Sequence, residues 1–178
     1  MGGNSATFAD PNEILSSLNL VSGKVFLDVG CGRGSYALAA APIVNPDGKI
    51  YAIDLWDEGI NELNSKAQEL GYDNITAFIG NASENIPIPD HEVDLVFMGV
   101  VFHDMVEAGI NAAVLAEITR VIKSNGTLAI LEWKKDAVIP PGPPREIRLD
   151  SRQLDDLIIH SGFRSQNSQD WNEYLYLT

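Results

Sequence analysis

The sequence predicts an α/β protein whose doubly wound parallel sheet is covered by helices on both faces. Short apolar runs rich in β-branched residues alternate along the chain with amphipathic stretches of helical period. The run VFLDVGCGRGSY, residues 25–36, ends its apolar part in an aspartate and then carries three glycines separated by single residues. Such a loop after the first strand is typical of sheets that bind a ligand at the carboxyl ends of their strands. With 178 residues, 45% of them hydrophobic, the chain suits one domain over residues 1–178.

The first half of the chain predicts three strands and three helices. Asp10 and Pro11 are suited to the N-cap and first position of a short helix, with Glu13 as capping-box partner, within a short N-terminal segment of residues 1–22. Gly71 marks the end of the third helix. The predicted strands cover residues 24–29, 49–55 and 75–80, and the predicted helices cover residues 11–18, the stretch that follows residue 35, and residues 57–71.

The second half predicts four more strands around a proline-rich loop. Residues 93–101 are apolar on both faces, which is typical of a central strand. The last two strands are separated by too few residues for a crossover, so we expect them to be antiparallel. The predicted elements are a loop at 81–92, a helix at 106–126, a strand at 127–133, a proline-rich loop at the active end over 133–150, a helix at 151–163, and strands at 163–169 and 173–178.

Composition excludes several classes of function. Lys and Arg total 12 against 25 Asp and Glu, a net charge of -13 that repels nucleic acid and anionic membrane surfaces. No window approaches a membrane span, and the N-terminus lacks a signal sequence, so we expect a cytoplasmic protein that uses neither nucleic acid nor a membrane as partner. The single cysteine, Cys31, has no second thiol for a disulfide or a metal, and no metal site is predicted.

Two carboxylates flank the glycine loop and indicate which ligand it holds. A nicotinamide site usually has the spacing G-x-G-x-x-G, whereas here the third glycine comes one residue early and Ser35 takes its place. Asp54 lies twenty residues beyond Gly34 and can accept hydrogen bonds from ribose hydroxyls, which NAD and an adenosine both carry. Asp28 opposes a pyrophosphate but suits an amino group and a sulfonium cation. The combination favours S-adenosylmethionine, with an NAD-dependent oxidoreductase as a disfavoured alternative.

The sequence resembles the class I S-adenosylmethionine-dependent methyltransferases. The resemblance rests on LDVGCGRG at residues 27–34 and continues through Asp54, GNASENIP at 80–87, FMGVVFHDM at 97–105 and EITRVIKSNGTLAILEW at 117–133. Together with GPPREIRLD at 142–150 and SGF at 161–163, the last of these is most similar to the ubiquinone and menaquinone biosynthesis methyltransferase group. The resemblance implies a Rossmann-like seven-stranded sheet in the order 3-2-1-4-5-7-6, with only strand 7 antiparallel.

The resemblance also implies a binding residue for each part of the donor, which becomes S-adenosylhomocysteine on reaction. The residues it places at the methionine part are Asp28, Gly30, Cys31 and Gly32, those at the ribose and adenine are Asp54, Leu55, Asn81 and Ala82, and those on the methyl side are Met98 and Gly99. Asn81 stands where the family commonly has an aspartate. We expect Cys31 to act as a small residue that fills the tight loop, because only Arg33 nearby would activate its thiol.

Methyl transfer by in-line displacement needs a base only if the acceptor is a hydroxyl, a phenol or an acidic carbon. His103 is the best candidate and Asp104 the second, and a structural role for His103 stays equally open. The acceptor is expected to be a small or medium organic molecule. Between Lys134 and Arg152 five basic residues face three acidic ones, a net +2 that would attract an anionic acceptor, unless this loop is only a solvated rim. Equally, Trp133 and the four prolines would form an apolar wall for a ring, such as an aromatic one, or for a chain.

Little chain precedes the first strand, so we expect no large N-terminal lid over the acceptor site. Three alternatives stay open: a larger acceptor, closure by a second subunit, as in a homodimer, and ordering of the N-terminal segment and the proline-rich loop on binding. The missing lid is also compatible with a different class of function, in which the protein binds S-adenosylmethionine as a non-catalytic partner subunit.

Overall fold

The computed structural model describes residues 7–137, 142–166 and 168–178, which form a seven-stranded sheet with helices on both faces. The strand order is β3-β2-β1-β4-β5-β7-β6, and β7 runs antiparallel to β5, as the resemblance implied. The strands are β1 (Val25–Val29), β2 (Lys49–Asp54), β3 (Ile75–Ile79), β4 (Val93–Gly99), β5 (Ile122–Trp133), β6 (Gln169–Asp170) and β7 (Leu175–Leu177).

Among the described residues, six α-helices and a short 3-10 helix near the end of the proline-rich loop accompany the sheet. Asp10 caps the first helix by accepting from the N–H of Asn12 at 2.8 Å, as predicted. Asp150 and Gln153 form a full capping box at the start of the last helix. The helices are α1 (Pro11–Ser17), α2 (Ser35–Val44), α3 (Asp57–Leu70), α4 (Phe102–Glu107), α5 (Asn111–Val121) and α6 (Ser151–His160), and the 3-10 helix is Arg145–Ile147.

The alternation of side chains along the buried strands divides the core into two layers. Residues of β1, β4 and β5 that point to one face pack with α4, α5 and α6, whereas their neighbours in sequence pack with α1 and α2 on the other. In β5, Ile130 belongs to the first layer and Leu131 to the second. This alternation places Glu132 on the α4 face and Trp133 on the α1 face.

The predicted elements were wrong in three places near the carboxyl ends of the strands. The helix predicted over 106–126 is two helices, because Gly109 adopts a φ of +70° between them and Ile122 already pairs with Val93 in the sheet. Strand β4 ends at Gly99, and Val100 turns away with a φ of +52° while its N–H donates to the carbonyl of Leu131 at 2.7 Å. Strand β6 has only two residues.

The sequence predicts neither a membrane span nor a metal site. Within residues 7–137, 142–166 and 168–178, no helix combines the length and apolarity needed to cross a membrane. The same residues contain no group of three or more His, Cys, Asp and Glu side chains arranged to hold a metal ion. Part of the proline-rich loop, residues 138–141, lies outside the described residues, as do residues 1–6 of the N-terminal segment.

Candidate functional site

The glycine loop turns tightly at the carboxyl end of β1 and bonds to the neighbouring strand. Gly30, Gly32 and Gly34 have φ values of +71°, +54° and +73°, a region that L side chains rarely adopt. The N–H of Gly30 donates to the carbonyl of Ile53 at 2.8 Å, which holds the loop against the end of β2. A Cβ built on Gly32 would meet no described atom within 4 Å. The loop is therefore held from behind and faces open space at Gly32.

Asp54 connects the end of β2 to this loop. One oxygen accepts from the N–H of Gly32 at 2.7 Å and the other from the N–H of Trp56 at 2.9 Å. Each carboxylate oxygen keeps a second lone pair that can accept from a ligand hydroxyl. Next to it Leu55 is 68% exposed, and Ile79 at the end of β3 is 58% exposed. The Asp54 carboxylate, which can accept hydrogen bonds, thus lies beside the apolar side chains of Leu55 and Ile79 at adjacent strand ends. An adenosine needs both, the carboxylate for its ribose and the apolar surface for its base.

Asp28 is the buried carboxylate beneath the glycine loop. It is 2% exposed and accepts from the N–H of Ala37 in α2 at 3.2 Å. Burial raises the pKa of Asp28 to about 7, against the lowering effect of the Ala37 N–H and with a further rise from the charge of Asp54. No basic side chain in the described part of the chain forms an ion pair with it. This unpaired acid suits a cationic ligand group and opposes a phosphate.

Cys31 lies half-buried within the loop and has an unreactive environment. Burial raises the pKa of its thiol, and the charges of Asp28 and Asp54 raise it further. A thiol with a raised pKa stays protonated and is a poor nucleophile. The structure thus gives Cys31 the environment of a small loop-filling residue.

Asn81 holds the turn that follows β3. Its side-chain oxygen accepts from both the N–H and the hydroxyl of Ser83, at 3.0 and 2.8 Å, and its amide nitrogen donates to Glu84 at 3.1 Å. Ala82 is buried beside it. The amide group that was predicted to recognise adenine is therefore already engaged in local structure.

The end of β4 lies beside the glycine loop, because β1 pairs with β4 through Asp28 and Phe97. Met98 is fully buried and Gly99 is half-buried. A Cβ built on Gly30 would lie 2.7 Å from a methyl carbon of Val101. The residues that follow β4 therefore pack directly on the loop. His103 lies two residues after Val101, in the first turn of α4.

His103 is buried at the start of α4 and contacts two carboxylates. Its Nδ1 lies 2.9 Å from an oxygen of Glu132, and its Nε2 lies 3.3 Å from an oxygen of Asp104. His103 is 4% exposed and Glu132 is fully buried, whereas the Asp104 side chain is 57% exposed. Burial lowers the pKa of His103, but the bond to Glu132 and the nearby charges outweigh burial and raise it overall.

Sequence reasoning missed Glu132. The available signal was a single carboxylate inside the otherwise apolar strand LAILEW, since a buried charge needs a hydrogen-bonded partner. Its partner lies 29 residues away, and the two meet because β4 and β5 are adjacent and parallel.

The basic residues predicted to attract an anionic acceptor are largely engaged with their own surroundings. Lys134 pairs with Asp170 at 2.8 Å, and Arg148 is buried, donating to the carbonyls of Pro143 and Lys134. Beside them a cavity of about 850 Å³ carries three basic and four acidic residues. Its lining is Lys134, Lys135, Asp136, Arg145, Glu146, Asp150, Ser151, Ser168, Asp170 and Tyr176. This cavity offers no excess of positive charge to an anion.

Trp133 closes the end of β5 and is buried under the N-terminal segment. Phe8 packs on it edge to face with ring centroids 5.0 Å apart, and the Arg148 guanidinium lies 5.8 Å from its ring. At 2% exposure, Trp133 lies in the core, whereas the sequence predicted that it forms part of a wall for the acceptor.

Comparison with known proteins gives one consistent family. A family model described as a methyltransferase domain matches residues 20–177. A demethylmenaquinone methyltransferase of Geobacillus sp. (strain WCH70) is 31% identical over 127 residues, which are 71% of this chain and 53% of that protein. One of Symbiobacterium thermophilum is 34% identical over 125 residues, 69% of this chain and 48% of that protein. The chain spans about half the length of the curated relatives it matches.

Solved structures share the fold over nearly the whole chain. A structure described as a SAM dependent methyltransferase from Aquifex aeolicus has a TM-score of 0.87 and 31% identity, covering 97% of this chain and 89% of that one. The [4+2]-cyclase SpnF has a TM-score of 0.75 and 25% identity over 89% of this chain and 58% of its own. Because the fold also occurs in a protein described as a cyclase, activity has to be argued from the site.

Proposed function

Since this chain belongs to the family of S-adenosylmethionine-dependent methyltransferases, we propose that it methylates a small or medium organic acceptor that carries an acidic hydroxyl or carbon. The observation that carries the proposal is Asp28, a buried carboxylate that has no basic partner among the described residues and lies beneath an open glycine loop. A sulfonium compound with an α-amino group meets the charge requirement of this position, and the pyrophosphate of NAD does not.

The residues at the strand ends fit the donor part by part. We propose that Asp28 and the glycine loop hold its amino-acid portion, and that Asp54 accepts from the ribose hydroxyls. Leu55 would pack on the adenine, and the main chain at Ala82 would recognise its edge, while Asn81 keeps the turn in place. The residues assigned to the methyl side are Met98 and Gly99.

When bound, S-adenosylmethionine supplies an electrophilic methyl group, whose bond to sulfur breaks as the acceptor forms its own bond to the carbon in line with it. The chain must orient the acceptor, keep water away and receive the acceptor's proton. We assign the last task to His103, which is buried at the start of α4, two residues after the Val101 side chain that packs on the glycine loop. Asp104 is the exposed neighbour on the Nε2 side of the ring.

For the acceptor, the relatives suggest a quinone-like ring. Their names describe methylation of demethylmenaquinone. A reduced quinone carries acidic hydroxyls that activate its ring carbons, which suits a site that contains a base. Aromatic acceptors of this class are therefore the first to test, with anionic ones second because the cavity beside β5 has balanced charge.

Calorimetric titration with S-adenosylmethionine, S-adenosylhomocysteine and NADH tests the donor site. We expect the first two to bind and NADH to give no heat. Replacing Asp54 by alanine should weaken binding of both by about 10-fold to 100-fold, because hydrogen bonds to a charged group are lost. The matched control is Asp94→Ala. This change removes a strand carboxylate that also accepts a backbone N–H but lies at the amino ends of the strands, away from the glycine loop. Unchanged affinity in Asp54→Ala, or binding of NADH alone, would contradict the proposal.

Binding of the donor should also depend on pH through Asp28. Its pKa of about 7 in the free protein means that the carboxyl is mostly neutral below pH 7 and charged above it. Since an ammonium group binds the charged form, affinity for S-adenosylhomocysteine should rise about tenfold per pH unit up to pH 7 and then level off. Methylthioadenosine, which lacks the amino acid portion, is the control and should show no such rise. A flat profile for both ligands would remove Asp28 from the amino-group site.

A further inference from the structure

Glu132 is a fully buried carboxylate near the carboxyl end of β5, and both of its oxygens accept hydrogen bonds. They accept from the backbone N–H of His103 at 3.0 Å, from the N–H of Trp133 at 3.1 Å and from the His103 ring at 2.9 Å. None of the ion pairs among the described residues joins it to a lysine or an arginine. Burying a carboxylate costs free energy unless the carboxylate is hydrogen-bonded. Among the described residues its side-chain partner is the imidazole of His103, so we infer that the function of the buried charge is to hold this ring.

The geometry fixes the imidazole in one orientation. Since the Glu132 oxygens can only accept, Nδ1 must carry the proton in that contact, and the unprotonated position of the neutral ring is then Nε2. The backbone N–H of His103 bonds to the same carboxylate and keeps it in place. The ring cannot turn without breaking the contacts of Nδ1 with both Glu132 oxygens, at 3.1 and 2.9 Å. Among the described residues, Nε2 contacts Asp104 at 3.3 Å, and the Asp104 side chain is 57% exposed. Nε2 therefore lies beside an exposed side chain, whereas Nδ1 faces the buried Glu132.

We propose that Glu132 is the positioning residue of the methyltransferase, holding His103 so that its Nε2 takes the proton from a hydroxyl-bearing acceptor. This inference rests on the proposed function, adds Glu132 to the residues that serve it, and narrows the acceptor to one that carries a hydroxyl. The acceptor O–H bond breaks and its proton goes to Nε2, giving an imidazolium held by Glu132, while the electron pair left on the acceptor forms the bond to the methyl carbon and the sulfonium becomes a neutral thioether. A neutral amine attacks with its own lone pair and needs no such pair of residues.

The charges around the ring decide the pH at which it works. Glu132 faces it from β5, and Asp104 and Glu107 face it from its own helix. The 3-10 helix packed against α4 brings Arg145 and Glu146, one charge of each sign. The carboxylates favour the imidazolium and, against the effect of burial, raise the pKa of His103. The acid limb of the pH–rate profile should therefore lie at a higher pH than the pKa of an ordinary histidine. Below that limb the ring is protonated and cannot accept.

Nitrogen NMR of the histidine rings tests the orientation without any acceptor. In the wild type the neutral His103 ring should carry its proton on Nδ1, and the pKa of His103 should lie above that of an ordinary histidine. In Glu132→Gln the amide can donate to Nδ1, so the Nε2-protonated form should appear and the pKa should fall by about one unit or more. Glu117→Gln, which removes another carboxylate that accepts a backbone N–H, is the control and should change neither.

Kinetics at saturating S-adenosylmethionine test the role in transfer, with 1,4-dihydroxynaphthalene, catechol and aniline as the acceptor probes. Release of S-adenosylhomocysteine should require a hydroxyl probe, and Glu132→Gln should lower kcat/KM about 10-fold to 100-fold and move the acid limb to lower pH. Loss of rate with an unmoved limb would show a merely structural carboxylate and overturn the inference. So would turnover of aniline alone, or an Nε2-protonated ring in the wild type.

The two proposals fail in different ways. If the wild type does not bind S-adenosylmethionine, or binds it and methylates none of the probes, the proposed function is contradicted, and the NMR result still decides whether Glu132 fixes the ring. If the wild type is active and Glu132→Gln keeps both its pKa and its pH profile, only the positioning role is overturned. Calorimetry should give the same donor affinity for wild type and Glu132→Gln, since Glu132 contacts the imidazole rather than the glycine loop.

Discussion

Replacing Asp28 by asparagine is expected to stabilise the ligand-free protein while it weakens binding of S-adenosylmethionine by about 100-fold. The folded state raises the pKa of this carboxyl from 3.8 to about 7, so between these values the native protein holds a proton that the unfolded chain has released. Stability is therefore lost as pH rises from 4 to 7, by up to roughly 4 kcal/mol at about 1.4 kcal/mol per unit. Asparagine is similar in shape and carries no charge to bury.

Urea unfolding at pH 5 and pH 8 measures this effect. The difference in free energy of unfolding between Asp28→Asn and the wild type should be small at pH 5 and larger in favour of the variant at pH 8, where it should amount to about 1 to 4 kcal/mol. The control is Asp94→Asn, whose native carboxylate has a pKa lowered by Lys123, Lys24 and the Val25 N–H, which outweigh burial. That variant should lose stability at pH 8. The burial argument would be contradicted if the free energy of unfolding of Asp28→Asn minus that of the wild type were smaller at pH 8 than at pH 5.

This opposition between stability and binding follows from where the acid lies. Asp28 is buried behind the glycine loop and has no basic partner in the part of the chain that the structure describes, so the free protein bears a cost that a cationic ligand group removes. Asp54, at the next strand end, is half-buried and has both oxygens engaged by backbone N–H groups. One carboxylate is thus held ready for charge and the other for hydroxyls, which matches the two ends of the proposed donor.

The residues of the proposed donor site can be grouped from the sequence because they are close to one another along the chain. The glycine loop and Asp28 are adjacent in sequence, and Asp54 ends the next strand, so knowing that both strands are parallel is enough to bring them together. The strand order is a property of the whole fold, and it came from the resemblance rather than from local patterns. It is confirmed by the pairing of the strands.

What the sequence could not predict depends on register and on local turns. Glu132 meets His103 only because Gly99 aligns with Leu131, and nothing within either segment specifies that alignment. The helical period of residues 106–126 continues through Gly109, so the break there was not visible in the pattern. Asn81 was assigned to the ligand, whereas its side chain holds the Ser83 turn.

Gly30→Ala is expected to destabilise the protein by roughly 2 to 5 kcal/mol, whereas Gly32→Ala should cost only about 1 to 2 kcal/mol. Both glycines have positive φ, so both substitutions carry the backbone cost. The new Cβ at Gly30, however, would lie 2.7 and 2.9 Å from the two methyl carbons of Val101, while at Gly32 it would meet no described atom within 4 Å. The extra cost at Gly30 is therefore steric.

A double-mutant cycle separates the two costs. Combined with Val101→Ala, which removes both methyl carbons, Gly30→Ala should recover about 1 to 3 kcal/mol relative to the sum of the single changes. The same partner should recover nothing for Gly32→Ala. Binding should show the reverse order, because the open space at Gly32 is where the proposed donor lies: Gly32→Ala should remain folded and lose affinity for S-adenosylhomocysteine. If Gly32→Ala keeps its affinity, the open face of the loop is not the donor site, and the close contact between Gly30 and Val101 would serve the fold alone.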